Sequence, residues 1–188
     1  TLLGDYAFAY SATREVARYR DNREKLAQIT SGVLGAKALL IGAAVAGALV
    51  AREWIPLFRA QPLLFWWVMF WGASQAISMR WFFRGLEWMK LLATVEVSTK
   101  VLALLGIFAF VHRPGDEWRV FAVQGFGWFL SFSICLILAY RNLLFRPPTI
   151  AAVREALHAG RHLFIYESSV NLYTTANTFI LGLFVPPE

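Results

Sequence analysis

Five long and continuously apolar runs constrain the fold of this chain more than any other feature. They cover residues 33–51, 62–79, 91–111, 120–140 and 163–185, and a sixth apolar segment, residues 1–12, is too short to span alone. A helix that crosses the hydrocarbon core of a bilayer needs about 20 mostly apolar residues, whereas barrel strands have about 10 residues of alternating polarity. The runs predict an all-α integral membrane protein, a polytopic transmembrane helix bundle with five full spans and one partial span.

The composition excludes several other classes of protein. Charged residues make up 16% of the chain and hydrophobic residues 58%, against about 25% charged in an average soluble domain, so the chain is not intrinsically disordered. A single cysteine, Cys135, excludes a disulfide scaffold. The sequence has no phosphate-binding loop, no dinucleotide-binding motif and no His or Cys pattern of a metal site. We therefore expect no enzyme, no catalytic residue, no metal and no cofactor.

Basic residues are distributed unevenly between alternate loops. Twelve of the eighteen Lys and Arg residues lie in the segments 13–30, 80–90 and 141–162, and four lie in the intervening loops. Loops rich in Lys and Arg stay on the cytoplasmic side of a membrane, where they face anionic lipids. The pattern predicts that these three segments are cytoplasmic, and it accounts for the net charge of +6 without nucleic-acid binding.

Two of these segments have a pattern of their own. After Pro148, Thr149 is suited to cap a short helix with Ile150, Val153 and Leu157 on one face, which is typical of a helix lying at a membrane interface. Segment 13–30, which follows the partial span, is more polar. For each of these two segments the alternative interpretation is a solvated connector.

Small residues and tryptophans predict packing and membrane boundaries. Gly32 and Ala36 have the small-xxx-small spacing that lets helix backbones approach closely. Trp81 and Trp88 flank predicted spans, which is typical of the aromatic belt at a membrane surface.

Charged residues inside the predicted spans are the first candidates for a site, because each costs about 2.5–3.5 kcal/mol at the centre of a membrane helix. Lys100 lies nine residues after Leu91, about 14 Å deep at 1.5 Å per residue, and Glu96 precedes it by one helical turn. The two either form a self-neutralising pair or face a water-filled cavity. Lys37 lies one turn inside its span, where its ammonium either reaches the cytoplasmic surface or faces the same cavity.

Polar side chains follow helical spacing in the last predicted span. Glu167, Asn171 and Thr175 form a stripe that is costly against lipid and must face protein or water. Interhelical hydrogen bonding and the lining of a cavity are the two interpretations, and the length of the stripe and its carboxylate favour the second. A weaker stripe in the 120–140 span is interpreted as interhelical contact; it consists of Gln124, Gly127, Ser131 and Cys135.

Three segments together resemble one family of membrane transporters. They are YAFAYSATREVARYRDNREKLAQITSGVLGAKALL at 6–40, WFFRGLEWMK at 81–90 and SSVNLYTTANTFILGLFV at 168–185. The second fits a WFxxGxE-type motif through Trp81, Phe82, Gly85 and Glu87. In order and separation the segments are similar to those of the polysaccharide (O-antigen-type) repeat-unit flippases, which share a superfamily with the multidrug and toxin extruders (MATE proteins) and the lipid II flippase.

The resemblance covers nearly the whole chain and implies a single membrane domain, a MATE-like lobe. It implies that residues 1–188 are a fragment of a longer two-lobed transporter, from the end of its second helix through its seventh. Residues 1–162 would form most of the first lobe, and residues 163–188 the first helix of the second. The implied location is the cytoplasmic membrane of a bacterium or archaeon, with the three basic segments inside.

The resemblance also implies a function. Members of the family move an isoprenyl (undecaprenyl) pyrophosphate-linked oligosaccharide to the outer leaflet for cell-surface polysaccharide synthesis. The sugar and the pyrophosphate need a hydrated and preferably cationic cavity, which alternating access of two lobes provides. The implied partners are the lipid bilayer, the lipid-linked oligosaccharide and, as candidates, polysaccharide polymerase and assembly proteins.

On this basis the charged and polar residues of the spans become candidates for the cavity. We expect Arg14, Lys37 and Lys100 to contribute positive potential for the pyrophosphate. The stripe Glu167, Asn171 and Thr175 would meet the sugar, and Glu96 or Glu167 would couple transport to an ion, H⁺ or Na⁺.

Two competing functions are open from the sequence. A multidrug extruder has the same architecture but takes lipophilic cations, so its cavity should be acidic, whereas the four mid-span charges here, Lys37, Glu96, Lys100 and Glu167, balance to zero. A membrane glycosyltransferase or polymerase needs a sizeable outer loop with convergent carboxylates or arginines. The outer loops here are short, which makes an enzyme the less favoured alternative.

Overall fold

The computed structural model describes residues 2–54, 61–113, 115–141, 143 and 146–184. For residues 2–7 it describes the backbone alone, and in part of the last helix it describes the backbone and only some of the side chains. These residues form seven helices and no strand, which confirms the all-α membrane bundle. In chain order the helices are α1 (Leu2–Arg18), α2 (Arg23–Arg52), α3 (Pro62–Ala76), α4 (Arg80–Gly85), α5 (Met89–Phe110), α6 (Glu117–Tyr140) and α7 (Ile150–Phe184).

Three of the five predicted spans are confirmed as helices that are long and apolar enough to cross a membrane, in the part of the chain that the structure describes. They are α2, α5 and α6, with 30, 22 and 24 residues. Helix α3 has 15 residues, which is about 22 Å and less than the hydrocarbon thickness of roughly 30 Å. The predicted span 163–185 lies almost wholly in α7.

Of the two interpretations of segment 13–30, the solvated connector is wrong, because most of the segment is helical. Helix α1 continues to Arg18 and α2 begins at Arg23, so that only a short turn separates them. The side chain of Asn22 caps α2 by accepting a 3.0 Å hydrogen bond from the backbone N–H of Lys25. The polar segment is helical because Leu26 and Ala27 are buried on one side of it while its charged residues face outward.

The segment 80–90 also has a structure that the sequence analysis missed. It begins with helix α4, whose Trp81, Phe82 and Phe83 are each at most 1% exposed. Trp81 therefore belongs to the hydrophobic core, and its assignment to an aromatic belt is wrong, whereas Trp88 is exposed. Aromatic residues next to charges resemble a membrane boundary in sequence, and only the packing of α4 against α1 distinguishes the two cases.

The expected interfacial helix after Pro148 is not a separate element. Thr149 does act as a cap, since its hydroxyl accepts a 3.3 Å hydrogen bond from the N–H of Ala152, but the helix continues without a break for 35 residues. Its first turns pack on α1 and α2. Ala152 is buried there and Val153 is half-buried, so this face covers protein.

The buried core lies at the end of the bundle where the three basic segments meet. The Glu24 carboxylate at the start of α2 pairs with Arg146, just before α7. An added Cβ at Gly32 would lie 2.7 Å from the carbonyl oxygen of Ala152, so the backbones of α2 and α7 nearly touch. The core cluster draws on α1, α2, α4, α5 and α6, and partly buried residues of α7 pack against it. Its members include Phe8, Val16, Leu26, Val33, Met79, Trp81, Leu92, Val95, Cys135, Ala139 and Leu143.

The WFxxGxE-type motif is a packing motif in this structure. Trp81 and Phe82 fill the core, and Gly85 lets α4 approach α1, because an added Cβ would lie 2.6 Å from Cβ of Val16 and 2.8 Å from the carbonyl oxygen of Thr13. Glu87 turns the chain into α5 with a φ of 61°, a left-handed conformation that is uncommon outside glycine. The motif thus fixes the connection between α3 and α5.

A substitution of this glycine tests the packing. Gly85→Ala in the full-length parent should lower the free energy of unfolding by about 1–3 kcal/mol, the range for overpacking, because the backbone oxygen of Thr13 cannot move aside cheaply. Thermal unfolding of the purified protein in detergent measures the change. Gly42→Ala is the matched control, since an added Cβ there meets nothing within 4 Å. Equal melting temperatures for the two variants would contradict the close approach of α4 and α1.

Candidate functional site

A groove between α5 and α6 contains the candidate functional site. Its volume is about 340 Å³, and Gln75 from α3 contributes to its wall. We call it the Trp128 groove and define it by its polar and aromatic lining residues, Gln75, Glu96, Thr99, Lys100, Gln124, Trp128 and Ser131. Three of the four residues of the weaker stripe on α6 line it, although that stripe was interpreted as interhelical contact.

Small residues bring the two helices of the groove together. An added Cβ at Gly106 would lie 2.9 Å from a methyl group of Val123, and one at Gly127 would lie 3.1 Å from Cβ of Ala103. Such close approach is typical of helix packing in membranes. Polar side chains on α5 and α6 therefore reach the same space.

An ion pair lies at one end of the groove. Nε of Arg80, the first residue of α4, is 2.6 Å from Oε1 of Glu96, and both side chains are mostly buried, at 28% and 21% exposed. The Arg80 guanidinium carbon also lies 4.7 Å from the centroid of the Trp128 ring, within the range of a cation–π interaction. Glu96 thus pairs with a residue sixteen positions earlier rather than with Lys100.

Lys100 has a different environment. Its Nζ is 6.0 Å from the centroid of the same Trp128 ring, and the residue is exposed half-way along α5. A lysine at the middle of a membrane helix is costly against hydrocarbon. The face of the groove that carries Lys100 must therefore meet water or protein.

Lys37 lies outside the groove, in the buried core. It is 1% exposed, and its Nζ donates hydrogen bonds to the carbonyl oxygens of Ala76, at 3.0 Å, and Ser78, at 2.9 Å. The carbonyls at a helix C-terminus carry partial negative charge and attract cations. The ammonium therefore stabilises the end of α3 and the turn that follows it.

The other four sequence candidates are not among the groove residues that the structure describes. Arg14 is exposed on α1 and is absent from the groove lining. Glu167, Asn171 and Thr175 belong to α7 by their backbone, but their side chains lie outside the part of the chain that the structure describes. Of the four candidates whose side chains the structure describes, Glu96 and Lys100 line the groove, and Arg14 and Lys37 do not.

Arg80, Gln75 and Trp128 are site residues that sequence reasoning missed. Arg80 was counted as a loop charge because the helix before it was expected to reach residue 79. Trp128 lies one turn after Gln124 and one turn before Ser131, so its helical spacing on the weaker stripe was the available signal. No sequence pattern indicated the ion pair itself, because Arg80 and Glu96 lie on different helices.

The bundle and the groove together define a multi-pass helical membrane protein with a charged site at the middle of its spans. The chain belongs to the polysaccharide biosynthesis protein family, which matches it over residues 1–188. This agrees with the resemblance seen in the sequence.

Two curated relatives carry the name "Putative O-antigen transporter". The protein of Escherichia coli (strain K12) is 24% identical over 185 residues, which is 97% of this chain and 45% of the relative. The protein of Shigella dysenteriae is 25% identical over 190 residues, 98% of this chain and 46% of the relative. This chain thus spans less than half the length of each. Their names agree with a transporter rather than an enzyme, and no solved structure matches the chain significantly.

The buried ammonium of Lys37 leads to a prediction about stability. Lys37→Met in the full-length parent should lower the free energy of unfolding by about 2 kcal/mol or more, because the carbonyls of Ala76 and Ser78 lose a buried charged donor. The melting temperature of the detergent-purified protein reports this, and a fall of about 5 °C is expected. Lys25→Met, at an exposed lysine of the same helix, should change it little. A stable Lys37→Met protein would show that the two hydrogen bonds contribute nothing.

Proposed function

We propose that the full-length protein moves an isoprenyl pyrophosphate-linked oligosaccharide across the cytoplasmic membrane by alternating access, for the synthesis of a cell-surface polysaccharide. Membership in the polysaccharide biosynthesis protein family and the names of the two curated relatives support polysaccharide-related transport. The observation that carries the finer proposal is Lys100, an exposed cation at mid-span beside a polar groove.

The chemistry of the groove suits such a substrate. A pyrophosphate and its sugars cannot cross hydrocarbon without a polar path, whereas the isoprenyl tail is apolar and stays in lipid. Lys100 offers an ammonium to a phosphate oxygen. The amides of Gln75 and Gln124 both donate and accept hydrogen bonds, as sugar hydroxyls require.

The charge of the groove favours this substrate over a lipophilic cation. Among the described residues that line or contact it, Arg80 and Lys100 are cationic and Glu96 is anionic. The balance is one positive charge, and Arg80, which the sequence count left out, decides it. A site that binds lipophilic cations needs the opposite balance, so the multidrug extruder is the weaker candidate.

Alternating access would need the rest of the parent protein. A second lobe facing Lys100 would close the groove from one side of the membrane at a time. Glu167, Asn171 and Thr175 remain candidates for contact with the sugar, and H⁺ or Na⁺ for the coupling ion. Polysaccharide polymerase and assembly proteins remain candidate partners.

Transport by a Lys100 variant tests the proposal. The full-length parent is reconstituted in proteoliposomes with a polyprenyl pyrophosphate-linked oligosaccharide, and sugar accessible from outside is followed over time. Lys100→Ala should slow the transbilayer movement by about tenfold or more, the effect of losing a charged hydrogen bond of about 1.4–3 kcal/mol. Lys90→Ala, at an exposed lysine of the same helix, is the matched control. Unchanged transport by Lys100→Ala at a normal protein level would remove this role.

The orientation of the bundle is tested separately. Cysteines introduced one at a time as Arg84→Cys and Arg113→Cys lie at exposed positions at opposite ends of α5. In intact cells a membrane-impermeant maleimide should label the second variant and not the first, because the basic segments are expected inside. The native Cys135 is buried and serves as the background. The reverse labelling pattern would invert the topology.

A further inference from the structure

We propose that Arg80 is a positioning residue for transport: by occupying the carboxylate of Glu96, it keeps the ammonium of Lys100 available to an anionic substrate group. This inference rests on the proposed function, because it takes the anionic group to be the pyrophosphate of the transported lipid. It assigns to Arg80 a role that acts through its neighbours and not through contact with the substrate.

Glu96 has two cations within reach. It precedes Lys100 by four positions on α5, and side chains with this spacing are neighbours on a helix surface, with Glu before Lys the more favourable order. Both side chains line the same groove. The helix geometry therefore favours an ion pair between Glu96 and Lys100 wherever no stronger partner competes.

Arg80 is the stronger partner in this structure. Its Nε is 2.6 Å from Oε1 of Glu96, and its guanidinium carbon is 4.7 Å from the Trp128 centroid, against 6.0 Å for Nζ of Lys100. A planar guanidinium can donate to a carboxylate and stack on an aromatic ring at once. The two contacts hold Arg80 in place and leave Lys100 outside the ion pair.

The backbone before Arg80 is fixed as well. Lys37 donates to the carbonyls of Ala76 and Ser78, and Met79 is 1% exposed in the core. Arg80 therefore starts α4 from an anchored turn, and its side chain reaches Glu96 without ordering a flexible loop. A well-ordered donor loses little conformational entropy on pairing.

Removal of Arg80 should change the charge that a substrate meets. With Arg80 present, the Glu96 carboxylate is neutralised and Lys100 carries the excess positive charge. Without it, Lys100, one helical turn further along α5, is the cation of this helix that lies closest to Glu96, and the pair is neutral. Removal of Arg80 would thus cancel the attraction of Lys100 for an anion.

Chemical labelling of Lys100 tests this directly. The full-length parent is reconstituted in liposomes and treated with a water-soluble acylating reagent, and acylation of Lys100 is followed by mass spectrometry with Lys90 as internal reference. Acylation takes place on the neutral amine, and an ion pair with a carboxylate stabilises the ammonium relative to the amine. Arg80→Met should therefore slow acylation about fivefold, as expected for an ion pair of about 1 kcal/mol. Arg80→Met/Glu96→Gln should restore the rate, because no carboxylate remains to compete.

Control variants separate this effect from general damage to the fold. Arg84→Met removes an exposed arginine of the same short helix and should leave the acylation of Lys100 unchanged. Glu96→Gln alone should also leave it near the rate of the unmodified protein. If Arg80→Met does not fold, Arg80→Gln takes its place with the same expected outcomes. Equal acylation of Lys100 with and without the Arg80 charge would overturn the proposal.

Transport by the same variants distinguishes this proposal from the proposed function. Movement of the lipid-linked oligosaccharide should fall in Arg80→Met and recover in Arg80→Met/Glu96→Gln. Transport without the expected change in acylation overturns the role of Arg80 and leaves the function standing. The expected acylation pattern in a parent protein that moves no such lipid leaves the role of Arg80 standing and overturns the function.

Discussion

The buried ammonium of Lys37 is the interaction on which the arrangement of the site depends. It binds the carbonyl oxygens of Ala76 and Ser78, and so it stabilises the end of α3 inside the buried core. A carbonyl left unpaired in the core would be costly. Because α3 stops there, the chain can turn and begin α4 at Arg80. Lys37 is thus a structural residue here, buried in the core, and it neither reaches the surface nor lines the groove.

The turn between α3 and α4 also determines the charge of the groove. Arg80 meets Glu96 and Trp128 because it begins a helix instead of lying in a solvated loop. The pair neutralises the carboxylate at one end of the Trp128 groove, and Lys100 provides the excess charge. The four mid-span charges balance to zero along the sequence, whereas the described charges at the groove, Arg80, Glu96 and Lys100, leave one positive charge. This local balance, rather than the net charge of the chain, favours an anionic substrate group.

The sequence was sufficient to predict the parts of the fold that a single segment determines by itself. Apolar runs of span length predicted α2, α5 and α6, and the cap at Thr149 was predicted correctly. It was insufficient to predict helix bounds that depend on packing against another helix. The polar first turns of α2 are helical because Leu26 and Ala27 are buried, and the first turns of α7 join the membrane helix because their apolar face covers α1 and α2. The Arg80–Glu96 pair was missed for the same reason, since the spacing along α5 offered only Lys100 as a partner.

The WFxxGxE-type motif and the groove are linked through one short helix. Trp81 and Phe82 are buried immediately after Arg80, and Gly85 brings the same helix against Val16 of α1. A helix of six residues has little stability of its own, so the direction of Arg80 depends on this packing. The motif has no atom in the groove lining, yet it fixes the residue that pairs with Glu96. Its physical task in this chain is therefore to hold the charge of Arg80 in position beside Glu96.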